Sequence, residues 1–154
     1  MAENFADFIQ FAIKEEQKAA ELYEKYSKIA STRTTQEILK SMAAMERGHE
    51  AKLKKILEKG IDIEVSTLSK PGSIQDMKLS DYMVSPTLTE NSDIQDVFIF
   101  AMKAEQSAYE LYTQLASVHS NEEIKEIFNQ LAAEEKKHKL DLESEYESAF
   151  MKEN

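Results

Sequence analysis

The sequence predicts an all-α fold, a four-helix bundle made of two repeated helical hairpins joined by a long crossover. Three observations lead there. Strong helix formers dominate a chain of 154 residues with only three glycines and two prolines, too few turn residues for a β architecture. Apolar residues recur at threes and fours over four long stretches. The second half also repeats the first at an offset of 89 residues: "FAIKEEQKAAELY" (11–23) lies over "FAMKAEQSAYELY" (100–112) with 9 of 13 positions identical. Residues 37–53 lie over 126–142 with 7 of 17 identical, and no gap is needed between the two stretches. Ordinary residue usage gives roughly one match in fifteen, so the halves are two copies of one supersecondary unit.

The first helix is expected to start after Asn4 as N-cap and run to about Ala30, with Phe5, Phe8, Ile9, Ala12, Ala19, Tyr23 and Tyr26 forming its apolar stripe. The second opens with the capping-box pattern Thr34-x-x-Glu37, carries Ile38, Leu39, Met42, Met45, Leu53 and Ile56, and stops before Gly60. The third starts near Ser92-x-x-Gln95 and runs to about Ser117 through Phe98, Ala101, Met102, Tyr109, Tyr112 and Leu115. The fourth opens with Ser120-x-x-Glu123 and continues through Ile127, Phe128, Leu131 and Leu142 toward Phe150. Between residues 60 and 91, Ser and Thr abound, Pro71, Gly72 and Pro86 interrupt, and Ile61, Ile63 and Val65 alternate as in extended chain. This is a connection, within which Ser73-x-x-Asp76 followed by Met77, Leu79 and Tyr82 suggests one short helix. The expected organisation is one domain over 1–154, with hairpin 5–58, crossover 60–91 and hairpin 93–150. Neither hairpin is large enough to bury its own stripe, so the two pack together. If a pseudo-twofold axis relates them, the second and third helices run parallel, which is why the connection has to be long.

Composition narrows the function. A net charge of −10 disfavours nucleic acid and anionic membranes as partners. There is no cysteine, hence no disulfide, thiolate nucleophile, zinc ribbon or iron-sulfur site. The amino-terminal MAENFADF lacks a basic start with an apolar core, and no run of 18 apolar residues occurs, so the expectation is a cytoplasmic protein that spans no membrane.

Two of the three histidines follow a glutamate by three inside a helix: Glu46 with His49, and Glu135 with His138. Glu46 follows Met42 by four and Leu39 by seven, and His49 precedes Leu53 by four, so both point inward. Glu135 follows Leu131 by four and Phe128 by seven, and His138 precedes Leu142 by four. Glu16 and Glu105 likewise follow Ala12 and Ala101 by four and precede Tyr23 and Tyr112 by seven. At about 1.5 Å per residue, Glu16 and Glu46 stand roughly 21 and 18 Å from the turn between their helices. The second hairpin repeats this for Glu105 and Glu135, so all six groups can converge on one layer. Four buried carboxylates without a partner would be severely destabilising. Lys14, Lys18, Arg47, Lys103, Lys136 and Lys137 fall at spacings that point away. Two divalent cations would balance four carboxylates and leave two neutral imidazoles as ligands, an arrangement of one Glu from each of two helices and Glu-x-x-His from each of the other two.

Other residues are read more plainly. Tyr23 and Tyr112 are either core or hydrogen-bond donors to a ligand carboxylate, and spacing does not choose. Glu134 either orients an imidazole of the facing hairpin or is an ordinary surface glutamate, since its repeat mate is Met45. His119, beside a turn, is expected to be solvated. Gly48 is expected to be merely tolerated in mid-helix, and the methionines to fill core space.

At these residues the chain resembles the ferritin-like superfamily, and within it the rubrerythrin type of diiron protein, over essentially its whole length. The resemblance implies a ferritin-like four-helix bundle with two iron ions, manganese or zinc being possible occupants. Glu46 and Glu135 would bridge the metals, Glu16 and Glu105 would be terminal, and His49 and His138 would each bind one. It implies a non-haem diiron oxidoreductase that reduces hydrogen peroxide or dioxygen. The alternatives are ferrous-iron oxidation as in bacterioferritins, and a non-enzymatic bundle stabilised by metal. Two departures matter: the cysteines of a rubredoxin domain are absent, so electrons would come from a separate protein such as a rubredoxin. The second glutamate that rubrerythrins place three residues after the third-helix ligand is Ala108 here. A second copy of the chain, in a dimer, is the other expected partner.

Overall fold

A computed structural model describes residues 4–59, 77–84, 88–89, 92–119 and 121–150. Four helices dominate: α1 (Phe5–Ile29), α2 (Arg33–Lys59), α3 (Ile94–Val118) and α4 (Glu122–Phe150), with a 3₁₀ turn at Leu79–Tyr82 ahead of α3. α1 packs most intimately on α2 and α3 on α4, the two hairpins that the 89-residue repeat implies. Among the described residues no helix is long and apolar enough to cross a membrane.

Two apolar clusters fill the bundle and fix its topology. One gathers Phe5, Phe8, Ile9, Leu53, Ile56, Leu115, Ile124 and Phe128. These come from the starts of α1 and α4 and the ends of α2 and α3. The other gathers Tyr26, Leu39, Met42, Val97, Phe98 and Leu142 from the opposite ends of the same helices. Consequently α2 and α3 run parallel, as a pseudo-twofold relation between the hairpins requires. Fully buried side chains such as Phe8, Phe128 and Leu131 each contribute about 1.5–3 kcal/mol by leaving water.

The helix starts follow cap chemistry, with some shifts from expectation. Asn4 caps α1 as predicted, in a reciprocal box with Asp7. α2 is capped by Thr32 rather than Thr34: the Thr32 hydroxyl accepts from the Thr35 N–H at 3.1 Å, while the Thr35 hydroxyl donates to Glu145 on α4 at 2.7 Å. That second bond ties the start of α2 to the other hairpin and selects the earlier cap. α3 starts from Asp93 rather than Ser92, in a box with Asp96 that sets two carboxylates at the positive end of the helix. Ser92 is engaged instead by the Thr89 N–H. α4 is capped by the Asn121 amide oxygen, which accepts from the Ile124 N–H at 3.1 Å. Ser120, the expected cap, lies outside the described residues, as do Gly60, Ile61, Ile63, Val65, Pro71, Gly72, the Ser73-x-x-Asp76 pattern and Pro86. The helical turn that the crossover does show, Leu79–Tyr82, lies farther along. It is pinned to α3 by the Ser107 hydroxyl, which donates to the Tyr82 carbonyl at 2.5 Å.

His119 corrects the sequence reading: it is buried, not solvated. As the extended C-cap of α3 (φ −89°, ψ 143°) it folds its ring back into the end of the core. There it meets Phe5 edge-on at 5.0 Å and accepts from the Asn121 N–H at Nδ1. Burial, and secondarily Lys125, lowers its pKa. A histidine held neutral when folded loses stability as pH falls through its unfolded value near 6.5. Among the described residues, Nε2 of the same ring is buried without a partner, so His119→Phe removes both a hydrogen bond and an unpaired donor, and the pH trend is the test. Thermal melts should show the variant gaining stability relative to wild type as pH falls from 8 to 5.5. At Gly48 a Cβ would meet nothing within 4 Å, in keeping with tolerance, and Gly48→Ala should raise stability by about 1 kcal/mol in denaturant titrations.

Candidate metal centre

Between the two apolar clusters lies a polar layer made by all four helices. Glu16 comes from α1, Glu46 and His49 from α2, Glu105 from α3, and Glu135 and His138 from α4. None of the six is more than 3% exposed. Inward-facing charge in mid-helix is a direct consequence of the four- and seven-residue spacings to the core positions around it.

The six groups form two overlapping sets. Ligand atoms of Glu16, Glu46, His49 and Glu135 all lie within 4.8 Å of one another, and so do those of Glu46, Glu105, Glu135 and His138. Glu46 and Glu135 belong to both sets. His49 Nδ1 is 2.6 Å from Glu135 Oε1, 3.2 Å from Glu46 Oε1 and 3.3 Å from Glu16 Oε2. His138 Nδ1 is 3.0 Å from Glu105 Oε1 and 3.5 Å from Glu46 Oε1. The two imidazoles stack at 6.0 Å, 17° from parallel. Despite the crowding, Glu46 Oε1 and Glu135 Oε2 are buried without a hydrogen bond. Oxygens that sit so close to other ligand atoms and accept no hydrogen bond are suited to a cation.

Tyr23 and Tyr112 resolve the choice that spacing left open. The Tyr23 hydroxyl donates to Glu105 Oε2 at 2.9 Å, and the Tyr112 hydroxyl to Glu16 Oε2 at 2.5 Å. Each tyrosine serves the carboxylate of the opposite hairpin, and the 89-residue offset exchanges the two bonds. Glu134 is no idle surface group either: its Oε1 is 2.6 Å from His49 Nε2. Its repeat mate Met45 places Sδ 3.4 Å from His138 Nε2, a contact that sequence reading, treating methionine as filler, missed.

Among the described residues no Lys or Arg enters the layer. Arg47 turns outward to Glu24 and Glu50, Lys18 to Glu15, Lys137 to Asp141, and Lys136 lies over the Tyr109 ring. Lys14 and Lys103 are exposed. A narrow cavity of about 40 Å³ reaches Glu46, Glu105 and Glu135 past Ala104, Ala108 and Val84. That is room for only a few water-sized molecules. A larger cavity of about 760 Å³, lined by Tyr26, Ile29, Phe98 and Phe150, holds none of the six residues.

Without a cation, protons must balance the layer. Burial and the neighbouring Glu46 push Glu16 up to about 8 and Glu105 up to about 7. Burial and Glu105 raise Glu135 well above the carboxylate range. Burial alone would lower the imidazoles, but the carboxylates Glu16 and Glu46 push His49 up to about 11, and Glu105 and Glu46 push His138 up to about 10. Burial would raise Glu46, yet the adjacent rings of His138 and His49 hold it well below its ordinary value. Groups with raised folded pKa values bind more protons folded than unfolded, so stability falls as pH rises. For the glutamates the loss starts near 4.5, and for the histidines near 6.5. Metal-free protein should therefore melt at progressively lower temperature from pH 6.5 to 9. Saturation with a divalent cation, which displaces those protons, should raise Tm most at the alkaline end, as scanning calorimetry would show.

A family model described as Rubrerythrin matches residues 7–146. No curated protein matches the chain. A hypothetical protein from Pyrococcus furiosus is 29% identical, with 92% of this chain and 87% of that one covered and a TM-score of 0.70. A protein from Thermotoga maritima, provisionally described as a ferritin-like diiron-carboxylate protein, has a TM-score of 0.72 at 17% identity, with 93% of this chain and 94% of that one covered. The latter likeness establishes the ferritin-like fold.

Proposed function

The chain belongs to the rubrerythrin family, and from that premise we propose that its buried layer holds two iron ions and reduces hydrogen peroxide or dioxygen. The observation that carries the reading is the pair of four-ligand sets that share Glu46 and Glu135. Glu46 and Glu135 would serve both cations, Glu16 with His49 would complete one set, and Glu105 with His138 would complete the other. Two divalent cations would offset four carboxylates and would be held in part by the oxygens of Glu46 and Glu135 that lack a hydrogen bond. When bound, a pair of ferrous ions supplies the two electrons that convert one peroxide and two protons into two waters.

The chain's own residues set the conditions for that chemistry. Tyr23 and Tyr112 hold the terminal carboxylates of the facing hairpin in fixed orientations through their O–H bonds, so each hairpin depends on the other for its geometry. Apolar clusters above and below keep bulk water out, and a cavity of about 40 Å³ favours an oxidant the size of peroxide or dioxygen over an organic hydroperoxide. Electrons come from a separate donor such as a rubredoxin. A homodimer and a cytoplasmic setting belong to the same proposal. Oxygen and imidazole donors also accept manganese or zinc, so the identity of the metal is part of the proposal.

One observation favours a second reading, ferrous-iron oxidation of the bacterioferritin kind. The ligand set is symmetric, with Ala108 where rubrerythrins carry another glutamate. Stopped-flow mixing of anaerobic, iron-loaded protein with limiting peroxide separates the two. The peroxidase reading predicts that one peroxide oxidises two irons, and that a reductant restores the cycle. Slow, non-stoichiometric reaction with peroxide, together with aerobic oxidation of many ferrous ions per chain, would replace it with the second reading.

A further inference from the structure

The 89-residue duplication pairs every residue of the layer with an equivalent: Glu16 with Glu105, Glu46 with Glu135, His49 with His138, and Tyr23 with Tyr112. One pair next to the layer breaks the match. Glu134 and Met45 each stand one residue before a shared carboxylate, and each reaches the outer ring nitrogen of the histidine on the facing hairpin. The contact is 2.6 Å from Glu134 Oε1 to His49 Nε2 and 3.4 Å from Met45 Sδ to His138 Nε2. The same register therefore carries an anion on one side and a thioether on the other.

We propose that Glu134 is a positioning residue that makes the metal site of His49 the tighter of the two, so that the sites fill in sequence rather than as an equivalent pair. This rests on reading the layer as a dimetal centre. When Nδ1 binds a cation, Nε2 carries the ring proton. A carboxylate that accepts that proton's hydrogen bond fixes the ring plane, increases electron density at Nδ1 and adds a negative charge near the metal. Such outer partners change metal affinity by about 10- to 100-fold. A thioether sulfur is a weak, uncharged acceptor and gives His138 little of this. The surroundings reinforce the difference: a groove of about 320 Å³ between α2 and α4, lined by Met42, Met45, Lys137, His138 and Asp141, opens beside His138. The less tightly held metal is thus also the one nearer a route for exchange.

Glu134 is 28% exposed and Met45 is 37% exposed, so both can be exchanged without opening the core. The test is an anaerobic titration of the full chain with cobalt(II), followed by calorimetry and by the visible absorption of the bound ion. Wild type should bind two equivalents in resolved steps. Repulsion between two cations separates steps even in a symmetric site, so the variants decide the matter. Glu134→Met should weaken the first step by about 10- to 100-fold and leave the second nearly unchanged. Glu134→Gln, which keeps an acceptor oxygen but loses the charge, should weaken it less. Met45→Glu should tighten the second step. His138→Ala should retain the tight step, and His49→Ala should lose it. The inference is overturned if Glu134→Met and Met45→Glu leave both constants within about threefold of wild type, or if His49→Ala keeps the tight step. Failure of wild type to bind cobalt at all would instead remove the dimetal reading on which the inference stands.

Discussion

Four carboxylates and two imidazoles share one buried layer, and the cost of placing negative charge there governs the rest of the molecule. Each buried ion forgoes several kcal/mol of hydration, and the carboxylates repel one another as well. The helices supply no lysine or arginine to offset this, because every nearby basic residue turns outward to the surface. The layer has two ways to reach balance. It can retain protons, which is why Glu16, Glu105 and Glu135 are shifted upward, or it can accept cations. Two divalent ions would match the charge and engage the oxygens of Glu46 and Glu135 that accept no hydrogen bond.

That constraint also explains why the core is divided. Apolar clusters at both ends carry the packing energy, and the polar layer between them is held by bonds that cross from one hairpin to the other. Tyr23 reaches Glu105, Tyr112 reaches Glu16, and His49 reaches Glu134 and Glu135. A single hairpin would hold three residues of one set, one of the other, and neither tyrosine partner. The geometry of the layer and the assembly of the two halves are therefore coupled through the same side chains. Duplication provides the symmetry of the ligands, and divergence at Met45 and Glu134 provides a place where the two sides differ.

Much of this was legible in the sequence because it depends on spacing alone. Four- and seven-residue intervals set which side chains face inward, distance from a turn sets their level, and the 89-residue offset doubles both arguments. Glu16, Glu46, His49, Glu105, Glu135 and His138 could all be found that way. Cap positions were less secure, since Thr32 and Thr34, Ser92 and Asp93, or Ser120 and Asn121 offer adjacent side chains able to do the same task. The choice at Thr32 lies with Glu145 on another helix. His119 was misread because the direction of its ring is set by the backbone after the helix ends, which periodicity does not describe. Tyr23 and Tyr112 were placed at the right level, but which carboxylate they meet depends on how the hairpins are rotated against each other. The same rotation brings Met45 to His138, and no feature of the sequence distinguishes that methionine from core filler.

The central claim is that cations, rather than protons alone, balance the buried layer. Elemental mass spectrometry on protein purified anaerobically without a metal-affinity tag tests it most directly, beside the double variant Glu46→Ala, Glu135→Ala. The account predicts about two metal ions per chain in wild type, iron under the proposed function, and loss of both in the variant, because the two shared ligands are gone. Wild-type protein that is folded, stable and metal-free, and that stays so when iron is supplied, would contradict it and leave the inward carboxylates balanced by protons.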